Sequence, residues 1–275
     1  MTVDSLEQLL AWQPPAQNYI IEKGILLPET RMVIFGAPKS WKSMLSMHSA
    51  FTLSQGKDWF GYKTNKCTVF VYQAELPKAV YKSRVEKYMV NLNGSKPSNM
   101  FFETGTSKLD TSYGIAELEK KVVEVSLRSP NTPIVLIIDP INRLMSGTVA
   151  DEEDTKRFID NVERLKEKYQ LTLIIINHSR KFKIDNEGRQ LDFGAEDMFG
   201  GELQKWCDIT VHTKLLSGRP GENRVTISFD LARNAYDVLN SFELYWERQT
   251  LLPTVTRIIV PESDSPADTT VRNLA

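Results

Sequence analysis

Four apolar runs limit what this chain can fold into: Met32–Phe35, Thr68–Tyr72, Ile134–Ile138 and Leu171–Ile176. Each is nearly continuous and rich in β-branched or aromatic residues. That is the pattern of strands buried on both faces of a parallel sheet. Helical patterns alternate with them, at Ser43–Leu53, Lys78–Asn91, Ile115–Leu127 and Glu152–Tyr169. In the last of these, Phe158, Val162 and Leu165 form one apolar stripe with Lys and Glu opposite. Such alternation predicts βαβ units around one central sheet, an α/β fold with helices on both faces.

The C-terminal third reads differently. Ile209–Leu215, Arg224–Phe229, Phe242–Trp246 and Val255–Val260 predict shorter strands, the first two joined by the turn-rich Ser217–Asn223. They are expected to extend one edge of the sheet as antiparallel hairpins. At the other end, Ser5 and Gln8 have capping-box spacing, and Leu6, Leu9 and Leu10 make one apolar face of a short helix that Pro14-Pro15 stops. So short a helix needs a surface for its leucines, on this chain or a neighbour. The expected organisation is an N-terminal arm over residues 1–16, one domain over 17–260 and a polar, disordered tail over 261–275.

Composition narrows the setting. No apolar run approaches the ~18 residues of a membrane span, and the first residues carry no secretory pattern. The only two cysteines, Cys67 and Cys207, lie in strand-like apolar runs without metal-site spacing, which predicts a reducing, cytoplasmic location. A formal net charge of −1 does not advertise nucleic-acid binding, so any such contact must come from a local basic patch.

The chemistry begins at Gly36-Ala37-Pro38-Lys39-Ser40-Trp41-Lys42-Ser43-Met44, a glycine turn between a strand and a helix that opens with Lys42-Ser43. Amides of such a loop, with the helix N-terminus, cradle an anion. Lys42 reaches the β- and γ-phosphates of a nucleotide, and the Ser43 hydroxyl ligates Mg²⁺. Trp41 stands where a second glycine is usual, its bulk pointing away from the phosphates, toward the base or an adjacent subunit. Asp139 ends the apolar run 135–138, so it can hold the Mg²⁺ through water, opposite Ser43. Pro140 follows it, so a general base must come from elsewhere. Glu75, just past the second strand at the same sheet edge, can orient and activate a water. Its other reading is a solvated residue opening the next helix. Asn177 or His178, ending the fourth strand, can contact the γ-phosphate and report it to the loop that follows. His48 and His212 read as structural.

Taken together, Ile20–Pro28, the Pro38-Lys39 pair, Gln73-Ala74-Glu75 and Asn177–Lys181 resemble the RepA/DnaB group of RecA-fold hexameric helicases, in particular the plasmid RepA type. The resemblance runs from about Tyr19 to Trp246. It implies a RecA-like P-loop NTPase using ATP and Mg²⁺. Gly36, Lys39, Lys42 and Ser43 match the phosphate loop, Glu75 the catalytic glutamate, Asp139 the Mg²⁺ aspartate and His178 the γ-phosphate sensor. Arg233 matches an arginine finger that reaches the ATP of a neighbouring subunit, while Leu231 replaces the lysine usual nearby. DNA contact is implied for two loops. One is 141–148 with Arg143. The other is 180–189, where Arg180, Lys181, Lys183 and Arg189 can track phosphates and Phe182 can stack on a base.

The expected function is that of a ring-forming, hexameric, ATP-dependent helicase moving on single-stranded DNA beside other replication proteins. The rivals are a RecA-fold recombination or annealing ATPase and a nucleotide-switched assembly protein without turnover.

Overall fold

The four apolar runs lie side by side in a nine-stranded sheet. A computed structural model describes residues 3–13, 18–92, 96–178, 201–217 and 222–261. The strands are β1 (Arg31–Gly36), β2 (Thr68–Gln73), β3 (Met100–Thr104), β4 (Ile134–Asp139), β5 (Thr172–His178), β6 (Ile209–Leu215), β7 (Arg224–Ala232), β8 (Ser241–Trp246) and β9 (Pro253–Ile259). Their order is β3-β2-β4-β5-β1-β6-β7-β8-β9. The first six in that order run parallel, and β7 to β9 continue as an antiparallel meander. β6 is thus not merely the first arm of a hairpin, because it also pairs in parallel with β1.

Helices cover both faces, as runs buried on both sides require. On one side lie α2 (Lys42–Gln55) and α3 (Lys78–Met89), packed on Val69, Val71, Val135, Ile137, Ile174 and Ile176. On the other lie α4 (Ser112–Arg128), α5 (Glu152–Tyr169) and the short α6 (Gly201–Trp206), packed on Phe70, Leu136, Ile138, Leu173 and Ile175. Alternation of side chains along each strand assigns the two sets. The α5 stripe of Phe158, Val162 and Leu165 is buried as its spacing requires. Among the described residues no helix is long and apolar enough to cross a membrane.

Several details depart from expectation. β3 and α6 are additional elements. Cys67 and Cys207 are free and buried, but they sit just before β2 and β6 rather than within them. The segment after β4 is not a plain surface loop. It opens with a 3-10 turn over Ile141–Arg143, and Ile141, Leu144 and Met145 are core residues while Arg143 stays exposed.

The N-terminal helix α1 (Leu6–Ala11) carries the expected reciprocal capping box between Ser5 and Gln8. None of its residues is buried, and Leu6, Leu9 and Leu10 face outward uncovered by any described residue.

Candidate nucleotide site

β1, β2, β4 and β5 all end at one edge of the sheet, which brings their terminal residues together around the start of α2. Gly36 closes β1 at φ +152, and a Cβ there would stand 2.2 Å from the Thr213 carbonyl oxygen, so only glycine fits. The loop is tied to β6 through the Ser40 hydroxyl, 2.7 Å from that of Thr213. Lys42 folds back under the loop, donating to the Ala37 carbonyl at 2.5 Å. Burial pulls its pKa down to about 8, against the pull of Asp139 and Glu75.

Trp41 occupies the glycine position in the left-handed region, at φ 66. Its indole turns away from the loop, stacks on the fully buried Trp246 at 5.4 Å and donates to the Glu222 carbonyl at 2.7 Å. It therefore packs on this chain's own C-terminal meander. Left-handed backbone costs about 1–2 kcal/mol at a non-glycine residue, and stacking plus a hydrogen bond can offset that. Two substitutions separate these terms. Trp41→Ala keeps the strain and loses the stack, whereas Trp41→Gly loses the stack but relieves the strain. We expect thermal stability in the order wild type, then Gly, then Ala, with the last two about 1 kcal/mol apart. Ala at or above Gly would contradict this account of the loop.

Asp139 ends β4, almost fully buried. It accepts hydrogen bonds from Ser43 at 3.0 Å and from Ser46, one turn further along α2, at 3.2 Å. Burial pushes its pKa up to about 6, despite the two hydroxyls that favour the charged form. Glu75 follows β2, partly exposed, with Oε2 at 3.9 Å from His178 Nε2. The Ala74 amide donates to the Asp139 carbonyl at 2.8 Å, pinning the Gln73–Glu75 segment beside β4. His178 ends β5, and its pKa is lowered by burial and by Lys42 and Arg143, against Glu75. Arg143 is thus within electrostatic reach of the residue read as a γ-phosphate sensor. His48 is held neutral by burial, down to about 3, with its ring 2.7 Å from the Tyr88 hydroxyl, and His212 stacks on Phe35.

These side chains open on a cavity of about 450 Å³, a size usual for small-molecule sites. Lys39 through Met44 form its floor, with Glu75 and His178 on one wall. Gly36, Ala37 and Pro38 do not line the cavity; the first two are buried and Pro38 is exposed. Sequence reasoning missed Leu76, Arg84, Glu222, Arg248 and Leu251, which also line it. Arg84 makes no hydrogen bond or ion pair among the described residues and joins Lys39, Lys42 and Arg248 as a cation lining the cavity. Only the fold brings it there, since nothing in its sequence surroundings marks it.

The donor set suits Mg²⁺. A hydroxyl and a carboxylate are hard oxygen ligands, and Mg²⁺ with a nucleotide takes one or two protein oxygens, completing its shell with phosphates and water. Among the described residues no group of three or more His, Cys, Asp or Glu could hold a metal by itself, and phosphate and water would complete such a shell. Asp139 binds its proton more tightly folded than unfolded. In the metal-free chain its contribution is therefore fully present below about 3.8 and is lost as pH rises through about 6. The loss is about 3 kcal/mol. Asp139→Asn is accordingly expected to raise the melting temperature of the metal-free chain at pH 7 while removing Mg²⁺-dependent nucleotide binding. A lower melting temperature would count against a buried, penalised carboxylate.

Arg233 is not in this cavity. It follows β7 at the opposite edge of the sheet, where its amide donates to the Asp208 carbonyl and its guanidinium reaches the Lys205 carbonyl of α6, each at 3.0 Å. Ala232 pairs with Ile209 while Gly36 pairs with Thr213, so at least about 13 Å of sheet separates it from the phosphate loop. Leu231 packs against the core and brings no cation. Arg180, Lys181, Lys183 and Arg189 lie outside the described residues.

Comparison with known proteins agrees with this architecture. A family model described as an AAA domain matches residues 1–183. No curated protein matches the sequence. Among solved structures, the chain is similar to one described as an ATPase domain, at 13% identity and a TM-score of 0.64 over 87% of this chain and 93% of that one. It is also similar to a DnaB-like replicative helicase studied for its interactions with primase (12%, TM-score 0.60, 81% of this chain and 58% of that one). The RadB recombinase gives 14% and a TM-score of 0.52, over 81% of this chain and 90% of that one. At such identities the likeness is one of fold, and the RecA-like α/β architecture expected from the sequence is borne out.

Proposed function

Since this chain belongs to the AAA domain family and has the fold of RecA-like ATPases, we propose that it is an ATP-dependent DNA helicase working as a closed ring of copies, six in number. One observation carries the proposal. The phosphate-binding and acid–base side chains gather at one edge of the sheet, while Arg233 lies exposed at the other, out of reach of its own chain's site. A cation so placed can reach the site of another copy in a head-to-tail contact, and such contacts generate rings or filaments.

In this reading Lys42, with the loop amides, binds the β- and γ-phosphates of ATP, and Arg84 adds charge from the same chain. Ser43 and Asp139 hold Mg²⁺, which when bound supplies charge neutralisation for the transferring phosphoryl group. Glu75 orients a water and takes its proton. His178 lies 3.9 Å from Glu75 and within electrostatic reach of Arg143, which links nucleotide state to an exposed side chain on the expected DNA path. Single-stranded DNA is contacted by Arg143 and by the basic residues Arg180, Lys181, Lys183 and Arg189. The uncovered leucines of α1 rest on the neighbouring copy.

The likeness to a recombinase supports a second reading, in which the same site drives strand pairing without unwinding. Steady-state ATP hydrolysis with and without single-stranded DNA, followed by strand displacement on a forked duplex, tests both. We expect DNA-stimulated turnover and displacement. Pairing of complementary strands without displacement favours the second reading, and bound nucleotide without turnover contradicts both.

A further inference from the structure

Beside Asp139 lies a buried amide oxygen that no described residue bonds. Gln73 is the last residue of β2, 3% exposed, and its Oε1 has no hydrogen-bond partner among the described residues. It stands in register with Asp139. Alternation along β2 puts Val69, Val71 and Gln73 on the face that carries Val135, Ile137 and Asp139, the face under α2. The neighbouring hydroxyls are already committed, Ser43 to Asp139 Oδ1 and Ser46 to Asp139 Oδ2. Burying a carbonyl oxygen without a donor costs stability, and such groups in folded proteins call for an explanation in terms of a ligand or water.

The missing donor can be identified by its chemistry. Gln73 is not among the residues that line the cavity, and its unpaired carbonyl oxygen would repel phosphate oxygens, while Lys42 and Arg84 already supply cations there. Water bound to Mg²⁺ is a strong donor, and Mg²⁺ at nucleotide sites retains several waters. We propose that Gln73 is a positioning residue for the metal, its Oε1 accepting a hydrogen bond from a water in the Mg²⁺ shell next to Asp139. This rests on the nucleotide-site reading above. Residues outside the ligands that orient a metal's shell matter to affinity almost as the ligands do.

The test uses the full chain, a fluorescent ATP analogue titrated first in EDTA and then with increasing Mg²⁺, and metal-free thermal melts. Gln73→Leu should leave metal-free nucleotide affinity within about twofold and raise the Mg²⁺ concentration for half-effect by about 10- to 100-fold. Gln73→Glu, which keeps an acceptor, should recover most of that loss. Without metal, Gln73→Leu should melt no lower than wild type, because it removes an unpaired buried oxygen. An unchanged Mg²⁺ requirement, an equal loss of metal-free affinity, or a lower metal-free melting temperature would each overturn the role. If wild type itself shows no saturable binding, the nucleotide site fails and this inference with it. Failure of Gln73 alone leaves wild-type binding intact.

Discussion

Arg233→Ala is expected to lower ATP turnover of the assembled protein by about 10³- to 10⁵-fold while each chain still binds nucleotide. The reasoning is positional. Arg233 sits across the sheet from the phosphate loop, anchored to carbonyl groups at the end of α6 and before β6. Removing it cannot disturb the local geometry of Lys42, Ser43 or Asp139. In the proposed assembly it would remove positive charge delivered to the developing negative charge of phosphoryl transfer on the adjoining copy. Mixing gives the sharper test. Chains carrying Arg233→Ala and chains carrying Lys42→Ala are each inactive alone, but co-assembly should regenerate some interfaces with an intact Lys42 on one side and an intact Arg233 on the other. Partial recovery of turnover on mixing supports the trans arrangement. No recovery despite demonstrated co-assembly, or full activity of Arg233→Ala alone, would refute it.

Glu75→Gln should cost about 10²- to 10⁴-fold in kcat, the range for loss of a general base, with nucleotide binding retained. Glu75 is partly exposed and lies 3.9 Å from His178, whereas Asp139 is buried and engaged by two serines. The two carboxylates therefore have different work. Asp139 is placed to hold a cation, and Glu75 faces the cavity where a water can enter. Gln has the same shape but cannot take a proton, so the variant should hold ATP and release product slowly. Single-turnover chemistry measured against analogue binding checks this. A Glu75→Gln chain with unimpaired kcat would return Glu75 to the simpler reading of a solvated residue before α3.

The central strands were readable because burial on both faces leaves a continuous apolar run, a signal independent of any partner. The phosphate loop was readable for a similar reason, since strand, Gly36 and Lys42-Ser43 are contiguous. β3 escaped because it is an edge strand. Its five residues are half-exposed, and the Met-Phe-Phe-Glu-Thr sequence neither alternates nor runs apolar. α6 escaped because six residues carry too little periodicity. The direction of Trp41 was not readable, since its partners Glu222 and Trp246 are supplied by the meander 181 and more residues away. Nor was the isolation of the Gln73 oxygen, which depends on where Ser43 and Ser46 send their hydrogens. Arg84 joins the site only through the docking of α3 on the sheet.

The most direct measurement is equilibrium titration of the wild-type chain and of Lys42→Ala with a fluorescent ATP analogue, with and without Mg²⁺. A saturable, Mg²⁺-strengthened curve for wild type, weakened at least tenfold (about 1.4 kcal/mol) by Lys42→Ala, is the predicted result. A flat wild-type response at concentrations that permit assembly, or identical curves for the two chains, would contradict a triphosphate held between Gly36 and Ser43.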